Sequence, residues 1–280
     1  MQYQTTLRDA IAFEGAGLHT GAPASARVLP APAGHGLQFR LNGQVQFPAR
    51  ADYVVDTARA TVLGVDGHRV STVEHLLSAL LGCGVDNALI EVEGSEIPVA
   101  DGSAKVFADE IERVGLATLH EARLRWIPTE PRVFRDGEKL LVIAPASAFR
   151  VRFTVDYQPP VGAQYAELEI TPEAYRAEIA PSRTFGFLHE VEGLIKRGLA
   201  QGGTLENAVV FAPDGPMQPL RWPNETVRHK VLDLLGDFAL LGAWPQFEVL
   251  AVKSGHKLHC VSTNELRKQF RATLPSASVR

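Results

Sequence analysis

Two ten-residue stretches in opposite halves of the chain constrain its fold more than any other feature. Val73-Glu74-His75-Leu76-Leu77-Ser78-Ala79-Leu80-Leu81-Gly82 aligns without a gap on Val227-Arg228-His229-Lys230-Val231-Leu232-Asp233-Leu234-Leu235-Gly236. His75 falls on His229, the Leu-Leu-Gly endings coincide, and Ala79 stands where Asp233 does. Such a repeat predicts a duplicated molecule in which each half contributes one apolar, histidine-bearing helix. On a helix, positions i and i+4 share a face and i+8 stays near it, so His229, Asp233 and Asp237 point one way. Leucines and valines surround them, which predicts burial. An imidazole and two carboxylates in an apolar setting need a partner, and a divalent metal is the obvious one. If the halves pack face to face, His75, His229 and Asp233 meet as two nitrogens and one oxygen. That is the ligand count of a catalytic zinc with one position left open for water. The alternative is a pair of core histidines satisfied by buried hydrogen bonds. No H-E-x-x-H motif is present, so any such site is assembled from distant segments.

The remaining composition excludes more than it identifies. The 280 residues suffice for two domains with separate cores. A net charge of −4 gives no pull toward nucleic acid or anionic membranes. No apolar run is long enough to span a bilayer, and the first ten residues lack a signal-peptide pattern, so a cytoplasmic protein is expected. Cys83 and Cys260 are the only cysteines and form no C-x-x-C pair, so no disulfide framework is expected.

Patterning predicts an α+β chain: two duplicated βα sandwich domains, each with a small insertion. Residues 1–118 form the first domain, with an insertion at about 50–70. Strands are expected near 5–7, 11–13, 26–29, 37–41 and 87–92, and helices over 73–81, capped by Ser71 or Thr72, and 104–114. A polar stretch, 119–125, reads as the link. Residues 126–280 form the second domain, with an insertion at about 188–211. Its strands are expected at 132–134, 139–143, 150–155, 166–170 and 247–252. Its helices are expected around 172–179, 188–197, His229, and 264–271. The end, 273–280, is expected to fray.

Several residues carry chemistry beside the metal trio. Glu74 precedes His75 and can take a proton from water at the ion; otherwise it is a first-turn glutamate favouring the helix dipole. His256 follows a strand end at Lys253-Ser254-Gly255 and can protonate a leaving amine if Asp237 holds it as imidazolium; otherwise it is a surface histidine on a glycine turn. Lys230 and Lys253 can anchor an anionic group, or simply be solvated. Thr184 can support an oxyanion, and the phenylalanines around it can stack on a sugar, or the segment is a plain strand. Leu194 lies on an apolar helical stripe that serves as core or as a lipid slot, and Gly203 beside it allows a mobile wall.

Taken in order, Gly17-Leu18-His19-Thr20-Gly21, Ser71-Thr72-Val73-Glu74-His75-Leu76, Gly84-Val85-Asp86-Asn87, Glu96-Ile97-Pro98, Asp101-Gly102-Ser103-Ala104, Arg183-Thr184-Phe185-Gly186-Phe187, Val227-Arg228-His229-Lys230, Asp233, Gly236-Asp237 and Lys253-Ser254-Gly255-His256 resemble the UDP-3-O-acyl-N-acetylglucosamine deacetylases, zinc amidases of lipid A synthesis. The resemblance covers nearly the whole chain. It implies domains whose helices face each other across the active site, and zinc, or Fe²⁺ on the same ligands, held by His75, His229 and Asp233. Glu74 is then the base, His256 oriented by Asp237 the acid, and Thr184 the group that polarises the acetyl carbonyl. Phe185 is implied at the glucosamine ring, Lys230 and Lys253 at the diphosphate, His19 near the substrate and Tyr157 near the uracil. The 188–211 insertion, with Leu194 and Gly203, is implied as the passage for the acyl chain. The implied reaction is hydrolysis of the N-acetyl group to UDP-3-O-acyl-glucosamine and acetate, the committed step of the pathway. A monomer with transient inner-membrane contact is expected. After His256 this chain has Lys257-Leu258-His259-Cys260 where the family often continues Ala-Leu-Asn. Rival readings are a zinc amidase for another acylated amino sugar, or a non-catalytic sugar-nucleotide-binding homologue. The intact acid and base argue against the second.

Overall fold

The computed structural model describes residues 3–273. The expected frayed end lies, from residue 274 onward, outside the described residues. Two five-stranded sheets carry the duplication. The first runs, in spatial order, Ile11–Ala16, Pro23–Pro30, Ala88–Glu93, Leu37–Leu41, Val45–Pro48. The second runs Arg132–Asp136, Lys139–Pro145, Phe247–Val252, Arg150–Asp156, Ala163–Glu169. In both, the central strand is antiparallel to the neighbour before it and parallel to the one after it. Alternation sets the faces: Val151, Phe153 and Val155 are buried while the residues between them are not.

Each central strand lies between two helices in sequence. In the first half these are α1 (Glu74–Gly82) and α2 (Lys105–Val114). A short α-turn, α3 (Pro172–Ala174), continues as π-helix through Ile179. The second half then supplies α4 (Leu188–Lys196), α5 (Glu225–Ala239) and α6 (His256–Thr273). All of α1 and nearly all of α5 is buried, and the two pack along each other. One continuous apolar cluster joins both halves through Leu76, Leu77 and Leu80 of α1 and Val231, Leu234 and Phe238 of α5. Each of these side chains contributes about 1.5–3 kcal/mol on burial, so the helix seam is also the main interdomain bond.

The seam is tight at Gly236, where an added Cβ would lie under 3.0 Å from backbone atoms of Glu74. Alanine gains about 1 kcal/mol of helix propensity. Two buried helices cannot part cheaply, and overpacking costs about 1–3 kcal/mol or more. Gly236→Ala is therefore expected to lower the thermal midpoint by about 2–8 °C. A raised midpoint in a melting experiment would show that the seam has slack.

Two small sheets extend from this frame. Val54–Asp56, Val62–Val65 and His68–Val70 form one. In the other, Phe185–Phe187 runs parallel to Val209–Ala212 through α4, and Gly215–Pro216 adds an edge.

Three local expectations are corrected. The polar link is a strand, Leu116–Ala122, paired antiparallel with Tyr3–Leu7, and Arg123 beyond it bonds Asp86 and the Gly84 carbonyl. Thr72 does not cap α1. Its φ is +56° and its hydroxyl donates to Glu96 at 2.7 Å, while the cap position falls on Val73 without a side-chain bond. The last helix begins at His256, not Asn264, because tertiary bonds made by its first turn override the weak helix propensity of Val261, Ser262 and Thr263. A cavity of about 130 Å³ between the halves is lined by Gln4, Arg50, Asn87, Leu124 and Trp244, and by none of the candidate site residues.

Candidate active site

Facing positions on α1 and α5 bring His75, His229 and Asp233 together, with one potential ligand atom from each lying within 4.8 Å of the others. Asp233 Oδ1 lies 3.3 Å from His229 Nε2 and 3.9 Å from His75 Nε2. The two imidazoles meet edge to face with centroids 5.0 Å apart. His229 Nδ1 is 3.1 Å from the Ser182 carbonyl, which can only accept, so Nδ1 carries the proton and Nε2 presents its lone pair inward. Burial pushes the His75 ring down to about 3, reinforced by His229, and burial also lowers His229. Both are thus neutral, the form that binds a cation. Asp233 Oδ1 is buried without a hydrogen-bond partner, whereas Oδ2 accepts from Lys230 Nζ at 2.5 Å. Burial alone would neutralise that carboxyl; the Lys230 ammonium outweighs it and holds it ionised. An orphaned carboxylate oxygen beside two lone pairs fits a divalent metal.

Glu74, 3% exposed, points into the same space. Its Oε2 accepts from the Thr61 amide at 3.1 Å and its Oε1 lies 3.7 Å from His256 Nε2. Burial, with Asp233 and Asp237 adding and His256 opposing, pushes its carboxyl up to about 7. His256 Nε2 is also 3.9 Å from Asp233 Oδ2, and its Nδ1 donates to Asp237 Oδ2 at 2.9 Å. Burial disfavours the charged ring, but Asp237, by charge and hydrogen bond, and then Glu74 and Asp233 raise it to about 9. A carboxyl near neutrality and a retained imidazolium therefore flank the trio, both raised above their ordinary values.

The remaining candidates gather less uniformly. Thr184 is half-buried; its amide donates to the Gly102 carbonyl at 2.7 Å and its carbonyl accepts from Val209, so both halves hold it. Arg183 and Glu225 form a buried, doubly bonded ion pair that anchors this segment. Phe185 packs against the His229 ring (6.1 Å) and Tyr157 (5.5 Å), within an apolar cluster that includes Phe187 and Phe211. Leu194 is half-buried on α4, which packs on the strands holding Phe185 and Val209. Gly203 is exposed and near Leu18. His19 is half-buried, both ring nitrogens are buried without partners, and burial lowers its pKa. Its loop is joined to the opposite insertion by Gln201 N→His19 O and Gly202 N→Leu18 O, each 3.1 Å. Lys230 is bound to Asp233. Lys253 pairs with Asp156 (2.8 Å) and Glu138 (3.4 Å), so an anion there must compete with two carboxylates.

Four contributors were not singled out from the sequence. Thr61 bridges Glu74, through its amide, and Asp237, through its hydroxyl at 2.5 Å. His259 donates to Asp237 at 2.9 Å, and Ser254 bonds His259. Glu96 appeared only within a motif, yet it accepts from the His19 and Thr20 amides and from the Thr20 and Thr72 hydroxyls, fixing the His19 loop. A helix start at His256 would have exposed His259 as its i+3 partner; the others leave no local signal.

The family model of UDP-3-O-acyl N-acetylglycosamine deacetylase matches residues 4–268. A relative from Syntrophotalea carbinolica is 43% identical over 265 residues, covering 92% of this chain and 86% of the relative. One from Geotalea uraniireducens is 40% identical over 272 residues, covering 95% and 89%. One from Trichormus variabilis is 44% identical over 266 residues, covering 91% and 95%. All three are named UDP-3-O-acyl-N-acetylglucosamine deacetylase. With a match across almost its full length, the chain belongs to the UDP-3-O-acyl N-acetylglycosamine deacetylase family.

Proposed function

We propose that this chain hydrolyses the N-acetyl group of UDP-3-O-acyl-N-acetylglucosamine, giving UDP-3-O-acyl-glucosamine and acetate for lipid A synthesis. The observation that carries the reading is the convergence of His75, His229 and Asp233 on a space flanked by Glu74 and His256. Those three would hold zinc, and the same donors accept Fe²⁺. When bound, the cation supplies Lewis acidity, lowering the pKa of water to about 7 and drawing charge from the amide carbonyl.

The residues then divide the proton work. Glu74 takes one proton from water as its oxygen adds to the acetyl carbon. Thr184 hydrogen-bonds the carbonyl oxygen as charge collects there. The C–N bond breaks as His256 donates the Nε2 proton to the departing glucosamine nitrogen, and Asp237 holds the ring aimed throughout. Phe185 and Tyr157 would contact sugar and uracil, with His19 beside the substrate. Lys230 and Lys253 would face the diphosphate, and the insertion with Leu194 and Gly203 would take the acyl chain.

No helix among the described residues is long and apolar enough to cross a membrane. We assign a monomer working in the cytoplasm with transient contact to the inner membrane; buried free thiols at Cys83 and Cys260 suit a reducing compartment. The test is direct: purified protein and UDP-3-O-acyl-N-acetylglucosamine should yield acetate and a free amine. Chelation should stop turnover and Zn²⁺ should restore it. Turnover only on acylated amino sugars lacking UDP, or none on any, would overturn the assignment.

A further inference from the structure

We propose that His259 is a positioning residue for the reaction, acting through Asp237 to aim the acid His256. This rests on the reading of His256 as the group that protonates the leaving nitrogen. The Asp237 carboxylate is fully buried and accepts three side-chain hydrogen bonds. Thr61 Oγ1 bonds Oδ1 at 2.5 Å, while His256 Nδ1 and His259 Nδ1 both bond Oδ2 at 2.9 Å. A carboxylate only accepts, so each Nδ1 carries a proton.

The other face of His259 meets a serine hydroxyl. Its Nε2 lies 2.8 Å from Ser254 Oγ, and both residues are buried. Burial keeps the His259 ring neutral. With Nδ1 protonated, Nε2 accepts from the serine hydroxyl. The chain of donors therefore runs from Ser254 to His259 to the Asp237 oxygen that also receives His256. Thr61 pins one oxygen and His259 the other, so the carboxylate cannot rotate about its own axis without losing a bond. The His256 ring inherits that constraint and keeps Nε2 toward Glu74 Oε1 and Asp233 Oδ2. Second partners of this kind typically matter by about 10–100-fold when lost.

Two variants separate the bonds. The amide of His259→Asn sits near Nδ1 and can still donate to Asp237. That of His259→Gln reaches the Nε2 position and keeps Ser254 instead. His259→Gln is expected to lower kcat by about 10–100-fold with KM within about twofold and metal content retained. His259→Asn should recover kcat to within about threefold of the parent. In a His256→Ala background, His259→Gln should add little further loss, because the effect travels through the missing ring. A parental kcat in His259→Gln overturns the inference. So do equal losses in both variants that follow their thermal midpoints, or a full His259→Gln loss that persists without His256. Near-normal turnover in His256→Ala itself would overturn the underlying reading, and the inference with it. A large His256→Ala loss beside an unaffected His259→Gln overturns the inference alone.

Discussion

Glu74→Gln and His256→Ala are each expected to lower kcat by about 10²–10⁴-fold while the protein still binds its metal. Glutamine preserves the volume of a side chain that is 3% exposed and can still accept from the Thr61 amide, so packing is conserved while the proton acceptor is lost. His256 is not among the three clustered donors, and its removal leaves His75, His229 and Asp233 in place. Its loss strips the leaving nitrogen of its proton source and leaves Asp237 with Thr61 and His259. The double variant should lose less than the product of the two single losses, since a base and an acid that serve one transition state fail as a unit. Steady-state kinetics with metal analysis on the same samples checks this. Turnover near normal in both single variants would refute the assigned roles.

Asp233→Asn should be as severe for a different reason. Removing an outer partner of a metal ligand already costs about 10–100-fold in affinity, so replacing a ligand itself should cost at least about 100-fold. The substitution also leaves Lys230, a buried ammonium bonded to Asp233 at 2.5 Å, without its countercharge. An uncompensated buried charge costs about 3–5 kcal/mol. The variant should therefore lose metal and melt earlier, and Lys230→Met in the same chain should recover stability but not metal. A stable, fully loaded Asp233→Asn protein would show that this carboxylate is not a ligand.

The convergence of His75, His229 and Asp233 was legible because the α-helical period and the repeat act together. His229 and Asp233 share a face by spacing alone, and His75 was found only because its helix repeats the other. Most strands of the two sheets were legible from alternation, but Val45–Pro48 was missed, and the strand expected at 5–7 pairs with Leu116–Ala122 instead of joining the first sheet. What escaped lies in pairings between distant segments. Thr61 meets Asp237 from a small sheet of the other half, and no periodicity marks a threonine ahead of a strand. Leu116–Ala122 became a strand only because Tyr3–Leu7 offers it an edge. The first turns of α6 were hidden by β-branched and hydroxyl residues, which concealed His259 until its bond to Asp237 was visible.

The most direct test is anomalous diffraction at the zinc edge from crystals of the active, metal-loaded enzyme. The account predicts one strong peak about 2.0–2.2 Å from His75 Nε2, His229 Nε2 and Asp233 Oδ1, with the fourth direction open toward Glu74 and His256. A peak elsewhere, or a fully active crystal with no ion between α1 and α5, would contradict it.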